Sequence, residues 1–195
     1  MQKLFSFLVM ALLIASCAQP TEEAEEPEKA IEPVLLDSDT HRAFYANLSQ
    51  LCGKSFQGEE IYRSHHGESV ADQELIMQVV ACTNEYIYIP FHIGDDKSRT
   101  WMFLVEDGKL RLSHDHRDED GKPHEVTEYG GYADDTGSEY VQHFPADEDS
   151  AEMIEDGGGN VWTIKLDEAL TTFTYRLERD GEKRWRVDFN LRQPL

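Results

Sequence analysis

The chain has 195 residues, and its 18 Lys and Arg stand against 39 Asp and Glu, a formal net charge of −21. That length bounds it to one domain or two, and a surface so acidic repels phosphate backbones, which excludes nucleic-acid binding. Hydrophobic residues at 39%, with 9 Phe, 8 Tyr and 3 Trp, supply enough apolar material for a folded core.

Lys3 gives a positive start, and Leu4 to Ile14 form an apolar stretch interrupted by Ser6. About 11 apolar residues are too few for a bilayer span, which needs about 20, and fit the apolar region of a signal peptide. Ile14-Ala15-Ser16-Cys17 follows. An aliphatic residue, two small ones and a Cys resemble the lipobox of bacterial lipoproteins. The resemblance implies cleavage after residue 16, a thioether-linked diacylglycerol on Cys17 and acylation of its freed amine. Several acyl chains anchor a protein stably where one does not. Ala18, in place of the Asp that favours inner-membrane retention in enteric bacteria, implies the periplasmic face of the outer membrane. The alternative is an ordinary signal peptide with a coincidental Cys.

Residues 17–37 read as the lipidated Cys and its tether. Six Glu (22, 23, 25, 26, 28, 32) and Pro20, Pro27 and Pro33 leave too little apolar surface to fold. Like charges and prolines extend such a segment and hold the domain away from the membrane. The domain itself is expected over 38–195. With Cys17 used for lipid, Cys52 and Cys82 remain, and two such Cys pair in an oxidising periplasm; two buried thiols are the alternative. No Cys-x-x-Cys spacing supports a redox or zinc-ribbon role.

Asp39 is read as the N-cap of an amphipathic helix carrying His41, Phe44, Tyr45, Leu48 and Leu51, which Gly53 stops. The period then becomes two. Strands are expected near 55–63, 74–82, 85–93, 99–106, 109–117, 125–130, 138–144, 160–166, 171–179 and 184–191. Asp107-Gly108 and Asp180-Gly181 mark hairpins, because both residues tolerate positive φ. A helical turn or two is expected between Pro145 and Ile154. Phe173, Tyr175 and Leu177 share a face, as do Trp185, Val187, Phe189 and Leu191, opposite polar partners. One dry face and one wet face define an antiparallel meander barrel or sandwich of about ten strands, an all-β fold after one helix.

A helix, then Gly53-Lys54-Ser55-Phe56 opening a meander, resembles the calycin plan of lipocalins and fatty-acid-binding proteins. Lipocalins place Trp two residues after that Gly, whereas here Phe56 follows three after it, so closure around a pocket stays open. The stretches 112–117, Tyr129-Gly130-Gly131 and Asn160-Val161-Trp162 are similar to uncharacterised secreted bacterial proteins, a resemblance that brings no activity with it.

Candidate chemistry centres on Leu110-Arg111-Leu112-Ser113-His114-Asp115-His116. Residues two apart on a strand point the same way, so His114 and His116 share the apolar face of Leu110 and Leu112. Such a pair is half of a metal site, with His92, His124, His143 or Asp118 as further ligands. The alternatives are hydrogen-bonded residues at a barrel rim, or contacts to a small ligand. Arg99 opens the apolar strand Trp101–Val105 and is placed to counter a ligand carboxylate. Tyr86, Tyr88 and His92 share one face that would line an open barrel. Arg186 is expected to face water or to pair with Glu178. The acidic runs at 118–121 and 134–137 lack the donor pattern of a calcium loop and read as turns. No nucleophile elbow, His-Glu-x-x-His or phosphate loop occurs, so no cofactor is expected.

The sequence thus leads to a lipid-anchored envelope protein that binds a small apolar or amphipathic ligand, or an envelope partner, without catalysing a reaction. A metal-binding protein or metal-dependent enzyme centred on His114 and His116 is one alternative, and a purely structural lipoprotein is the other.

Overall fold

The computed structural model describes residues 34–195. The expected signal peptide, Cys17 and the tether through residue 33 lie outside the described residues. Eleven strands form one antiparallel sheet: β1 (Ser55–Arg63), β2 (Leu75–Gln78), β3 (Ala81–Cys82), β4 (Tyr86–Ile93), β5 (Asp96–Glu106), β6 (Lys109–His116), β7 (Tyr129–Tyr132), β8 (Val141–Pro145), β9 (Asn160–Leu166), β10 (Thr172–Arg179) and β11 (Glu182–Pro194). Helix α1 (Asp39–Ser49) precedes them; α2 (Glu148–Met153) and a 3-10 turn, η1 (Gly157–Gly159), lie between β8 and β9.

The order is an up-and-down meander that returns on itself. Sequence neighbours pair except β2 with β3 and β7 with β8; β2 pairs β4, β3 pairs β4 off the main path, and β11 pairs β1. The result is a nearly closed barrel of ten strands, with its seam between β7 and β8. There Asp147 N–H donates to Gly130 C=O at 3.0 Å and Asp134 N–H to His143 C=O at 2.9 Å. The two strands come so close that a Cβ on Gly131 would overlap the Pro145 carbonyl oxygen, while one on Gly130 would overlap the Leu112 carbonyl of β6. Gly131 is what lets β7 approach β8.

Both Asp-Gly hairpins form, with φ of 48° and 78° at Asp107 and Gly108 and of 53° and 76° at Asp180 and Gly181. The expected run 74–82 is two pieces, broken at Val79 and Val80, and the strands expected at 125–130 and 138–144 begin later, at Tyr129 and Val141. Ser38 rather than Asp39 caps α1, its side chain accepting from His41 N–H at 3.3 Å. Leu36 is 2% exposed, and Asp37 N–H donates to Gly108 C=O at 2.8 Å.

Helix α1 plugs one end of the barrel. Its buried face carries His41, Phe44, Tyr45 and Leu48. Tyr45 O–H donates to Thr83 C=O at 3.0 Å, and His41 Nε2 to Asp134 C=O at 3.3 Å, both in loops at that end. Phe44 meets Phe103, which packs edge-on against Phe144. The disulfide Cys52–Cys82, with Cα atoms 6.2 Å apart, ties the end of α1 to β3. Closing a loop of 30 residues contributes roughly 3 kcal/mol through the unfolded chain. Above this plug the interior is filled by aromatic rings: Trp101 is stacked between Phe91 (4.7 Å) and Tyr175 (4.6 Å).

The seam makes a quantitative expectation. Gly131→Ala should lower the unfolding free energy by about 2–4 kcal/mol, because backbone on backbone cannot yield cheaply. Gly121→Ala, at a positive-φ turn with open space around it, should cost about 1 kcal/mol. Urea denaturation of the two variants checks the contrast; equal losses would contradict it.

Candidate functional site

The strand register assembles the site at the end opposite α1. Across β4, β5 and β6, Phe91, Arg99 and His116 form one inward row, and Ile89, Trp101 and His114 the next, continued by Tyr129 on β7. These rows meet Tyr175 of β10, Trp185 of β11 and Arg63 of β1 around a cavity of about 200 Å³. Arg99, His114 and His116 are therefore brought together. Tyr88 and His92 are not. On β4 the inward residues are Ile87, Ile89, Phe91 and Ile93, all buried, while Tyr86, Tyr88 and His92 are half-buried on the outer face. The reading of that face as a cavity lining is corrected: the apolar set of the alternation turned inward. Tyr88 stacks on Tyr86 at 4.6 Å. Arg186 bonds Asp188 through Nε and Nη2 (2.9 and 2.6 Å), and it is Arg176 that reaches Glu178.

His114 is fully engaged. Its Nδ1 lies 3.1 Å from Tyr129 C=O and its Nε2 3.1 Å from Tyr175 Oη. A carbonyl only accepts, so Nδ1 carries the proton and Nε2 accepts from the tyrosine. Burial pushes its pKa down to about 3. His116 Nε2 sits 3.3 Å from Tyr129 Oη; burial first, then the charges of Arg99 and His124, push its pKa down to about 4. Both rings are neutral at neutral pH, and burial raises the Tyr129 hydroxyl to about 12, so it stays protonated.

The metal arrangement does not assemble around this pair. His114 has no free nitrogen, His124 Nδ1 accepts from Val126 N–H at 3.1 Å, and His143 hydrogen-bonds Thr163 at 3.0 Å on another strand pair. Among the described residues no three His, Cys, Asp or Glu side chains gather to hold a metal ion.

Arg63, Glu60 and Trp185 are the members that sequence reasoning missed. A register shift between Glu60 and Tyr62 re-phases β1, so Glu60 and Arg63 face inward while Ile61 and Tyr62 are exposed at 47% and 43%. The Glu60 side chain is 3% exposed. Burial alone would raise its pKa; bonds from Ser69 O–H, Trp185 Nε1–H (2.7 Å) and Val70 N–H (3.0 Å), with the Arg63 charge, outweigh that and hold it below the usual range. Arg63 lies 4.3 Å over the Trp185 ring. The one sequence signal was negative: two acids and two apolar residues in succession at 59–62 break the alternation.

A scan of protein-family models gives no match to this chain, and a search of curated proteins gives none either. What the fold and cavity define is a class, a helix-plugged antiparallel barrel with a small cationic and aromatic cavity at its open end.

The histidines set a pH dependence. Their folded pKa values lie below the unfolded value of about 6.5, so between about pH 6.5 and 4 the unfolded chain binds more protons and stability falls as pH falls. In His116→Gln, which keeps a hydrogen bond to Tyr129, the fall from about pH 6.5 to 4.5 should be smaller than in the wild type. Urea melts across that range measure it, and identical slopes would contradict the assignment.

Proposed function

We propose that this chain is a lipid-anchored, non-catalytic binding module of the bacterial cell envelope, whose barrel takes a small amphipathic ligand at its open end. The observation that carries the reading is the cavity of about 200 Å³ in which Arg63, Arg99 and His116 face Phe91, Trp101 and Trp185. Apolar walls with a few convergent polar groups suit a molecule with an apolar body and an anionic end. Arg99 is the group that would meet a carboxylate: its Nη1 is paired with Asp96, and its Nε and Nη2 have no hydrogen-bond partner among the described residues. The volume equals about seven water molecules at ~30 Å³ each, which fits a single small ring or short chain and is too little for a membrane lipid's acyl chain.

Both imidazoles are held by tyrosines rather than by a nucleophile or a carboxylate, which supports binding over catalysis. The apolar leader, the lipobox-like run and the Cys52–Cys82 bridge, which persists in oxidising compartments, support an anchor through Cys17 at the periplasmic face of the outer membrane. A purely structural lipoprotein is the second reading, favoured by the ring packing that fills the barrel from Phe44 to Trp162. The metal alternative centred on His114 and His116 loses its geometric support, because both His114 nitrogens are used.

Native mass spectrometry of the full chain purified from envelope membranes tests this. We expect a bound small molecule in the wild type, retained at least about tenfold less in Arg99→Met. Bare protein in both would favour the structural reading. In the same preparation Cys17→Ser should leave the membrane fraction; equal retention of both forms would overturn the anchor.

A further inference from the structure

Beside the cavity lies a second, larger cleft of about 710 Å³, bordered by the ends of β1 and β10, the start of β11 and η1. Two backbone bonds hold its walls in register. Ser64 N–H donates to Arg184 C=O at 2.9 Å, and Asp180 N–H to Gly159 C=O at 2.9 Å. In a chain of net charge −21, three guanidiniums, those of Arg63, Arg179 and Arg184, and the His66 imidazole line this one cleft.

Much of their donor capacity is unspent. Arg179 gives Nε to Asn160 Oδ1 at 2.8 Å and Nη1 to Glu155 C=O at 3.3 Å, which leaves Nη2. Arg63 gives Nε to Glu68 C=O at 2.8 Å, and its two Nη groups have no hydrogen-bond partner among the described residues. Arg184 is the least satisfied. Its Nε is buried with no hydrogen-bond partner among the described residues, as is that of Arg176, and its Nη2 stands 3.4 Å from a Glu182 carboxylate that is 73% exposed. Unreplaced hydration of a guanidinium N–H is costly. An acceptor in the cleft would meet the Arg184 guanidinium at Nη1 and Nη2, which are not closed off as Nε is.

The geometry points to a phosphate-type oxyanion site, in which a phosphate group accepts hydrogen bonds from Arg184, Arg179 and Arg63 together. The three arginines arrive from the end of β1 and from the two arms of the β10–β11 hairpin. A tetrahedral group with three terminal oxygens meets donors from three directions, whereas a planar carboxylate with two oxygens meets one fork well. Asp156 and Asp180 also border the cleft, so an anion held by one guanidinium alone gains little there. Multiple contact is the condition for binding. This site does not depend on what occupies the neighbouring cavity, although Arg63 and Trp185 border both.

Isothermal titration of the full chain with inorganic phosphate, and with acetate at matched ionic strength, tests the site. Phosphate stabilises many proteins by exclusion from their surface, so variants decide the matter. We expect saturable phosphate binding that weakens at least about tenfold in Arg184→Met and in Arg179→Met. Arg186→Met, which removes a guanidinium bonded to Asp188 elsewhere, should leave it unchanged. Acetate should bind at least about tenfold more weakly than phosphate. Equal phosphate heats in wild type and both cleft variants, or acetate matching phosphate, would overturn the proposal. Phosphatidylcholine vesicles with and without phosphatidic acid separate two sources of the group. Stronger binding to the phosphatidic acid vesicles, lost in Arg184→Met, assigns it to a lipid headgroup, and equal binding assigns it to a soluble phosphate ester.

Discussion

A carboxylate buried in the barrel wall organises the open end of this protein. Taking Glu60 out of water is costly unless donors replace its hydration, and three do: Trp185, Val70 and Ser69. Each bond constrains something else. The indole of Trp185 is held with its ring under the Arg63 guanidinium, and the loop at 69–70 is pinned against β1. Arg63 lies near enough to compensate the charge, 3.7 Å from Glu60, without closing a short pair that would consume its outer nitrogens. Arg63 and Trp185, which border both the cavity and the cleft, are therefore placed by one inward acid.

The two ends of the barrel solve opposite problems. At the plugged end, α1 brings Phe44 onto Phe103 and the disulfide fixes its exit, so that apolar side chains fill the interior there. Toward the other end the inward residues change from Leu110 and Leu112 to His114 and His116 along one strand. Buried imidazoles remain neutral and need partners, and the tyrosines of β7 and β10 supply them. That polar step is where ring packing stops and a cavity of about 200 Å³ begins. Its size follows from how much of the barrel the aromatic residues occupy.

What was legible in the sequence was whatever obeys a period or a turn rule. The alternation of β6, β9, β10 and β11 and both Asp-Gly hairpins follow from residue types alone, while the pairing of Cys52 with Cys82 was reached through the lipobox resemblance, which set Cys17 aside. On β4 the alternation was equally clear, but which face turns inward is a tertiary decision, and Tyr88 and His92 went outside because the isoleucines and Phe91 are the better core. The β1 inversion was not legible, since a register shift between strands leaves no local mark beyond a broken alternation. Gly131 was visible as a residue, yet its role depends on the β7–β8 contact, which no local pattern reveals. Leu36 looked like the end of a tether because its partners lie far along the chain.

The central claim is that the open end of the barrel is a binding site rather than unfilled core. A crystal structure of the protein purified from its native source measures this most directly. The account predicts electron density for a small molecule between Trp101 and Trp185, with an anionic group within hydrogen-bond distance of Arg99. A cavity holding water alone, with the Arg63 and Arg99 guanidiniums turned fully onto Glu60 and Asp96, would contradict it.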